Sequence, residues 1–169
     1  MPTIPDPGFA DDDGAADPAV AAALARYASD FRPGPVLAAL AGSRLLVPVM
    51  AVLGEQALGE TGHVVDKSSD MAAVLMTGRD GRKALLAFTS SAALMAWNAA
   101  ARPVPVAIQL AAVAACQEGA AGLLLDVAGP VRFVVQGDDL LHVAAGDTLM
   151  PVAGGHAWRP QTDTPRRAE

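Results

Sequence analysis

The sequence predicts an α/β (α+β) fold: a single layered domain with a mixed sheet of about five strands, a central hairpin, and helices on both faces. Three observations lead there. Asp70 to Thr77 and Lys83 to Phe88 are apolar runs of strand length on either side of Arg79-Asp80-Gly81-Arg82, whose Asp-Gly pair supplies the positive φ that a hairpin turn needs. Along the first run Met71, Ala73 and Leu75 face one way and Val74 and Met76 the other, so both faces are apolar and the strand belongs in the middle of a sheet. Strand-like runs alternate with capped stretches of helical spacing, and 169 residues at 52% hydrophobic content supply one substantial core, not two.

Taken in order, residues 1–16 hold Asp6, Asp11, Asp12 and Asp13 among prolines and small residues, too little apolar surface to offset the cost of ordering. They are expected to form a disordered acidic lead before a domain spanning residues 17–146. Asp17-Pro18 places an N-cap before a proline at the first helical position, and Val20, Leu24 and Tyr27 share one face of a helix over Ala19 to Ala28. Pro33-Gly34-Pro35 is read as a break, Val36 to Ala41 as a short helix, and Gly42 as its left-handed terminus. Leu45 to Leu53 is the first strand, where Pro48 removes a ladder hydrogen bond and so points to an edge or a bulge. Gly54 to Asp66, rich in glycine and charge, reads as a mobile loop.

After the hairpin, Ser90 or Ser91 caps a helix carrying Leu94 and Trp97. Arg102-Pro103-Val104-Pro105-Val106 must be extended, because each proline biases its predecessor away from the helical region. An alanine-rich helix follows from about Ala107 to Glu118, closed by Gly119 and able to pack closely on more than one side. Gly122 to Val127 is a strand, Ala128-Gly129-Pro130 a turn, Val131 to Val135 an edge strand, and Gly137 to Ala145 a last short helix. Residues 147–169 return to glycine, proline and charge and are expected to be a flexible tail.

A net charge of −6 and a pI near 4.9 argue against binding nucleic acid or an anionic membrane by general electrostatics. Cys116 is the only cysteine, which allows no internal disulfide or thiolate cluster and suits a reducing compartment. The first residues lack the positive charge and apolar core of a secretory signal, and no run is long and apolar enough to span a membrane. Cytoplasmic localisation is the expectation.

Catalytic motifs are absent: no Gly-Lys-Ser/Thr phosphate loop, no GxGxxG and no GxSxG occur, so Ser90 and Ser91 read as helix caps. His63, His142 and His156 lack the spacing of paired metal ligands, so neither a metal nor a cofactor is expected. Cys116 among alanines reads as a small buried apolar group. Asp66, Asp70 and Asp126 lie at strand or loop edges, where turn capping outweighs catalysis, and Arg79 to Lys83 reads as a solvated hairpin tip.

The segments KSSDMAAVLMTGRDGRKALLAFTS, Trp97 with ARPVPV, and LLLDVAGPVRFVV, in that order over about Leu45 to Ala145, resemble the SseB N-terminal domain family in its actinobacterial branch. This is not the type III secretion translocon protein that shares the name. Matched signature positions are Lys67, Asp70, Met71, Thr77, Gly78, Asp80, Gly81, Phe88, Thr89, Trp97, Arg102, Pro103, Pro105, Asp126, Pro130 and Arg132. Ala128 stands where the pattern has proline, and longer enteric relatives carry a further C-terminal domain. The resemblance implies a fold, and brings no catalytic residue and no cofactor.

The expected function is a non-enzymatic module that binds a protein partner or regulates one, with Phe88, Trp97, Arg102, Pro103, Pro105 and Arg132 as the interaction residues. The alternative is a small-ligand sensor or enzyme with its site at strand ends near Asp70, Asp126 and Arg132. A third expectation is a homodimer through an exposed edge, either Val131 to Val135 or Leu45 to Leu53.

Overall fold

The structure, a computed structural model, describes residues 9–51 and 71–162. The Gly54–Asp66 loop, Lys67 and Asp70 lie outside the described residues. Five helices, α1 (Pro18–Asp30), α2 (Pro33–Ala41), α3 (Ser91–Trp97), α4 (Ile108–Gln117) and α5 (Gly137–Ala145), accompany three sheets. The first sheet has the order β2-β1-β5, from Met71–Ala73, Arg44–Ala51 and Arg102–Ala107, all antiparallel. The second has the order β3-β4-β6-β7, from Leu75–Thr77, Lys83–Ala87, Gly122–Leu125 and Phe133–Gln136, with β4 and β6 parallel. A hairpin of β8 (Thr148–Val152) and β9 (Gly155–Arg159) stands apart. The mixed α+β class follows from the sequence as predicted.

The two larger sheets meet where Leu46 and Phe88 exchange backbone hydrogen bonds, each of 2.8 Å. That exchange fixes the direction of every backbone group along β1. Leu46 points its N–H and C=O away from β5, so Pro48, two residues on, points its nitrogen the same way, toward the strand that begins at Met71. A proline has no N–H to offer there. The neighbouring chain therefore stays with β1 only through Ala73, and Val74 turns its carbonyl to Leu86 N–H instead, at 3.0 Å, to begin β3. Opposite β1, Pro105 faces Leu46 and Pro103 faces Pro48 at pairs that exchange no hydrogen bonds, so these prolines cost the ladder nothing.

This corrects two expectations. Pro48 does not send β1 to an edge, since β1 is the middle strand of its sheet, and this also removes β1 as a dimerisation edge. The apolar run of Met71 to Thr77 is not central: it divides into β2 and β3, each at an edge. The central positions belong to β4 and β6. Leu85 and Ala87 on β4 are buried on one face while Leu86 and Phe88 are buried on the other. The turn between β3 and β4 closes through Gly78 N–H to the Arg82 carbonyl at 2.8 Å, with Gly81 at φ +81.

Helices cover both faces, but unequally. Leu45, Leu85, Leu123, Leu125, Phe133 and Val135 pack against Val20, Leu24, Val36, Leu40, Ile108, Leu140 and Val143 from α1, α2, α4 and α5. Among the described residues, the opposite face carries α3 alone, with Leu94 and Trp97 over Leu46, Leu86 and Phe88. Ala111, Ala112 and Ala115 are buried on α4 and bring its backbone close to the sheet. Cys116, one step around that helix, is exposed and not the buried group expected.

Local signals set the helix ends. Asp17 Oδ1 accepts from Ala19 N–H at 2.8 Å and Ser90 Oγ from Ala93 N–H at 3.1 Å. Pro33 and Pro35 lie in the first turn of α2 and begin the helix where a break was expected, because an orphan N–H there is no loss. Gly42 is not left-handed, having φ −99. Residues 9–16 are tied to the domain by Arg44, and the segment expected as tail holds β8 and β9, with Leu149 and Trp158 packed on the core.

The reading of Pro48 makes an unusual prediction. Pro48→Val, a change toward a better strand former, introduces a buried N–H facing a carbonyl already used by Leu86. It is expected to destabilise the domain by about 1–3 kcal/mol in urea unfolding. An increase in stability would refute this account of why the strand divides.

Candidate functional site

The side of the sheet that carries α3 is positioned by a polar network at the strand ends. Asp126 follows β6 in the left-handed region at φ +52, and Gly129 N–H returns to its carbonyl at 2.8 Å. The Asp126 carboxylate accepts from Thr89 N–H at 2.9 Å and from Thr89 Oγ1–H at 2.7 Å. The Thr89 carbonyl accepts in turn from Arg44 Nη1 at 2.7 Å. Arg44 Nη2 donates to the Ala15 carbonyl at 2.6 Å and to Asp12 Oδ1 at 2.8 Å, while Nε meets the other Asp12 oxygen. Ser91 N–H donates to the Gly14 carbonyl at 2.8 Å, and Gly14, at φ +76, has Ser91 Oγ where a Cβ would need room. Glycine is required where the lead crosses the start of α3.

The Arg44 and Asp12 side chains are only 10% and 12% exposed, so the pair is largely withdrawn from water. Two charges in that setting offset each other, and losing either leaves the other unpaired, which costs more than the pair contributes. The hydrogen bonds from Arg44 hold the Asp12 carboxyl below its ordinary value, and Asp12 holds the guanidinium more firmly protonated.

Asp126 is thus buried with both oxygens committed to Thr89. Arg132 is exposed, and neither it nor Asp126 lines the cleft between α2 and the β8–β9 hairpin. Of the alternative constellation of Asp70, Asp126 and Arg132, Asp70 lies outside the described residues, Asp126 is buried on Thr89 and Arg132 is exposed.

The expected interaction residues separate. Phe88 is fully buried and stacks on Trp97, with ring centroids 5.5 Å apart and planes 31° apart, so it supports that surface from beneath. Trp97 is half-buried. By the β1–β5 register, Pro103 and Pro105 share the α3 face with Pro48 and Met50, whereas Arg102 pairs with Val49 on the other face. Arg132 adjoins β7, at the far edge from β5. Trp97, Pro103 and Pro105 remain together. The sequence reading missed Met50 and Met95, both exposed here, with Asn98 Nδ2 3.8 Å from Met50 Sδ. Exposed methionines on an apolar-rich chain give no periodic signal to find them by.

The outer edge of β5 is also unusual. The groups directed away from β1 belong to Pro103, Pro105 and Ala107, so the edge offers carbonyls with almost no N–H groups. Such an edge resists strand addition. The edge strand expected at Val131 to Val135 is β7, which among the described residues pairs only with β6.

At the other end, Asp139 on α5 accepts from Trp158 Nε1–H at 2.8 Å and His156 Nε2–H at 2.9 Å. His142 Nδ1 and Asp147 Oδ2 are 2.7 Å apart, and the His142 ring stacks on Trp158 at 5.4 Å. The hydrogen bond from His142 lowers the Asp147 carboxyl. These contacts fasten the β8–β9 hairpin to α5 and leave a cleft of about 360 Å³ between the hairpin and α2.

A family model described as the SseB protein N-terminal domain matches residues 19–142. The chain belongs to this family. No curated protein and no solved structure matches the chain. The SseB match runs from α1 into α5 and stops before the β8–β9 hairpin, and the resemblance seen in the sequence is correct. Residues on which the resemblance in the sequence rests fall at points of constraint: Thr89 on Asp126, Phe88 under Trp97, Gly81 in the hairpin turn. Among the described residues, no helix of this SseB domain is long and apolar enough to cross a membrane.

Two measurements check the network. Thr89→Val removes the hydroxyl that donates to Asp126 Oδ2, leaving the backbone N–H on Oδ1, and is expected to lower stability by about 1–3 kcal/mol. Replacing Asp126 by alanine as well should recover part of that loss in a double-mutant cycle. For Asp12 the folded-state pKa is depressed, so its contribution is present above the unfolded-state value of 3.8 and is lost as pH falls through the folded-state value. Wild-type stability should therefore fall more steeply than that of Asp12→Asn between about pH 5 and about pH 3.

Proposed function

We propose that this SseB domain is a non-enzymatic, cytoplasmic protein-interaction module that docks an apolar partner surface on its α3 side. The observation that carries the reading is Trp97, half-buried on a rigid Phe88 base, on the sheet face that also presents exposed Met50 and Pro103. An aromatic ring held at the surface by a buried neighbour presents large contact area at little conformational cost, and methionines adapt their shape to what they meet. The acceptor-only edge of β5 favours a partner that approaches through side chains over one that adds a strand. A net charge of −6 supports a protein partner over nucleic acid or an anionic membrane.

A photo-crosslinking residue at Met95 or Pro103, compared with one at exposed Ala22 on α1, tests this in cells that make the protein. The α3-side positions are expected to capture one discrete partner that Ala22 does not, and Trp97→Ala to abolish the capture while the domain remains folded. Equal capture from both sides, or capture indifferent to Trp97, would overturn the assignment of the surface.

A further inference from the structure

Phe31 closes α1 in the left-handed region, at φ +56 and ψ +26, a conformation that glycine or asparagine adopts without strain and a bulky residue does not. Its ring gains little burial in exchange, since it is 72% exposed and touches Tyr27 edge-on at 6.0 Å. Core packing therefore does not account for the strain. The ring instead borders the cleft of about 360 Å³ between the first turn of α2 and the β8–β9 hairpin. Strain kept at the rim of a concavity points to use of that concavity.

The cleft is apolar on both sides, with Pro35 and Ala38 from α2 facing Leu149 and Val152 from β8. Its volume lies within the range of small-molecule sites. Gly34 keeps the wall beside His156 open, for a Cβ there would stand 3.3 Å from the ring Nδ1. Arg32 supplies the polar end: its guanidinium has no hydrogen-bond or ion-pair partner among the described residues. Of the carboxylates on this side, Asp30 Oδ1 accepts from Arg32 N–H at 2.9 Å and Asp139 Oδ1 from Trp158 and His156, and neither pairs with the guanidinium. A free guanidinium at the mouth of an apolar cleft matches an anion with an apolar body, and its planar fork matches a carboxylate.

We propose that this cleft is a binding site for a small apolar monocarboxylate, with the carboxylate on Arg32 and the chain between Pro35 and Val152 under Phe31. The site is separate from the α3 surface, and nothing in the reading of that surface bears on it.

Octanoate, octanol and octylamine, titrated into the whole chain by calorimetry with backbone amide NMR, test it. Octanoate should bind with shifts confined to residues 31–38 and 149–156, about tenfold more tightly than octanol, with octylamine weakest. Arg32→Gln should bring octanoate down to the octanol level and leave octanol unchanged. Phe31→Gly should raise the melting temperature by relieving the strain and weaken all three probes. If octanol matches octanoate, or Arg32→Gln changes neither, the carboxylate assignment fails. If no probe shifts those residues, or Phe31→Gly binds octanoate undiminished, the cleft is not the site described.

Discussion

A guanidinium largely withdrawn from water must be met by acceptors on every side, and Arg44 obtains them from two separate parts of the chain. It stands at the first residue of β1, takes the Thr89 carbonyl at the end of β4, and draws in Asp12 and the Ala15 carbonyl from the segment before α1. Thr89 passes the constraint on to Asp126 at the end of β6. The ends of three strands and the lead are thereby fixed to one another by directional bonds. Apolar burial cannot fix them so, because it has no preferred direction. The α3 helix, which starts at Ser91 beside this network and whose own N–H reaches Gly14, inherits its position from it.

The division of the sheet at Pro48 has a similar logic on a smaller scale. One missing N–H turns the Met71–Thr77 segment from β1 to β4, and the turn opens the sheet enough for Leu46 and Phe88 to meet directly. Phe88 then lies at the junction, buried, with Trp97 above it. The half-exposed ring on the α3 side is in this sense a consequence of a proline on the neighbouring strand.

Much of this was legible in the sequence, and the reason differs element by element. Asp17-Pro18, Ser90 and Gly119 act within one helical turn, so α1, the start of α3 and the end of α4 follow from neighbours in the chain. Pro103 and Pro105 force extension locally, and β5 follows. What escaped depends on partners far along the chain. Asp12 reads as one more solvated acid until Arg44, thirty-two positions later, accepts it as a partner. Pro48 reads as an edge marker unless the direction of Leu46 is known, and that direction is set by Phe88. The interaction residues suffered from the same limit: Trp97, Pro103 and Pro105 share a face, but adjacency in sequence placed Arg102 with them when strand alternation puts it on the other.

The β8–β9 hairpin shows a further way in which composition misleads. Glycine, proline and charge are what a disordered tail and a two-stranded ribbon have in common, because a ribbon this small buries little on its own. Its stability has to come from outside, and it comes from α5 through Asp139 and His142. Those two residues lie within the SseB match, whereas Asp147, His156 and Trp158, which they hold, lie beyond it. One wall of the cleft thus belongs to the shared domain and the other to a segment outside it. A relative that keeps the domain and changes the segment would keep Phe31 and α2 while losing the facing wall. The role proposed for the strained Phe31 therefore depends on the hairpin that stands opposite it in this chain.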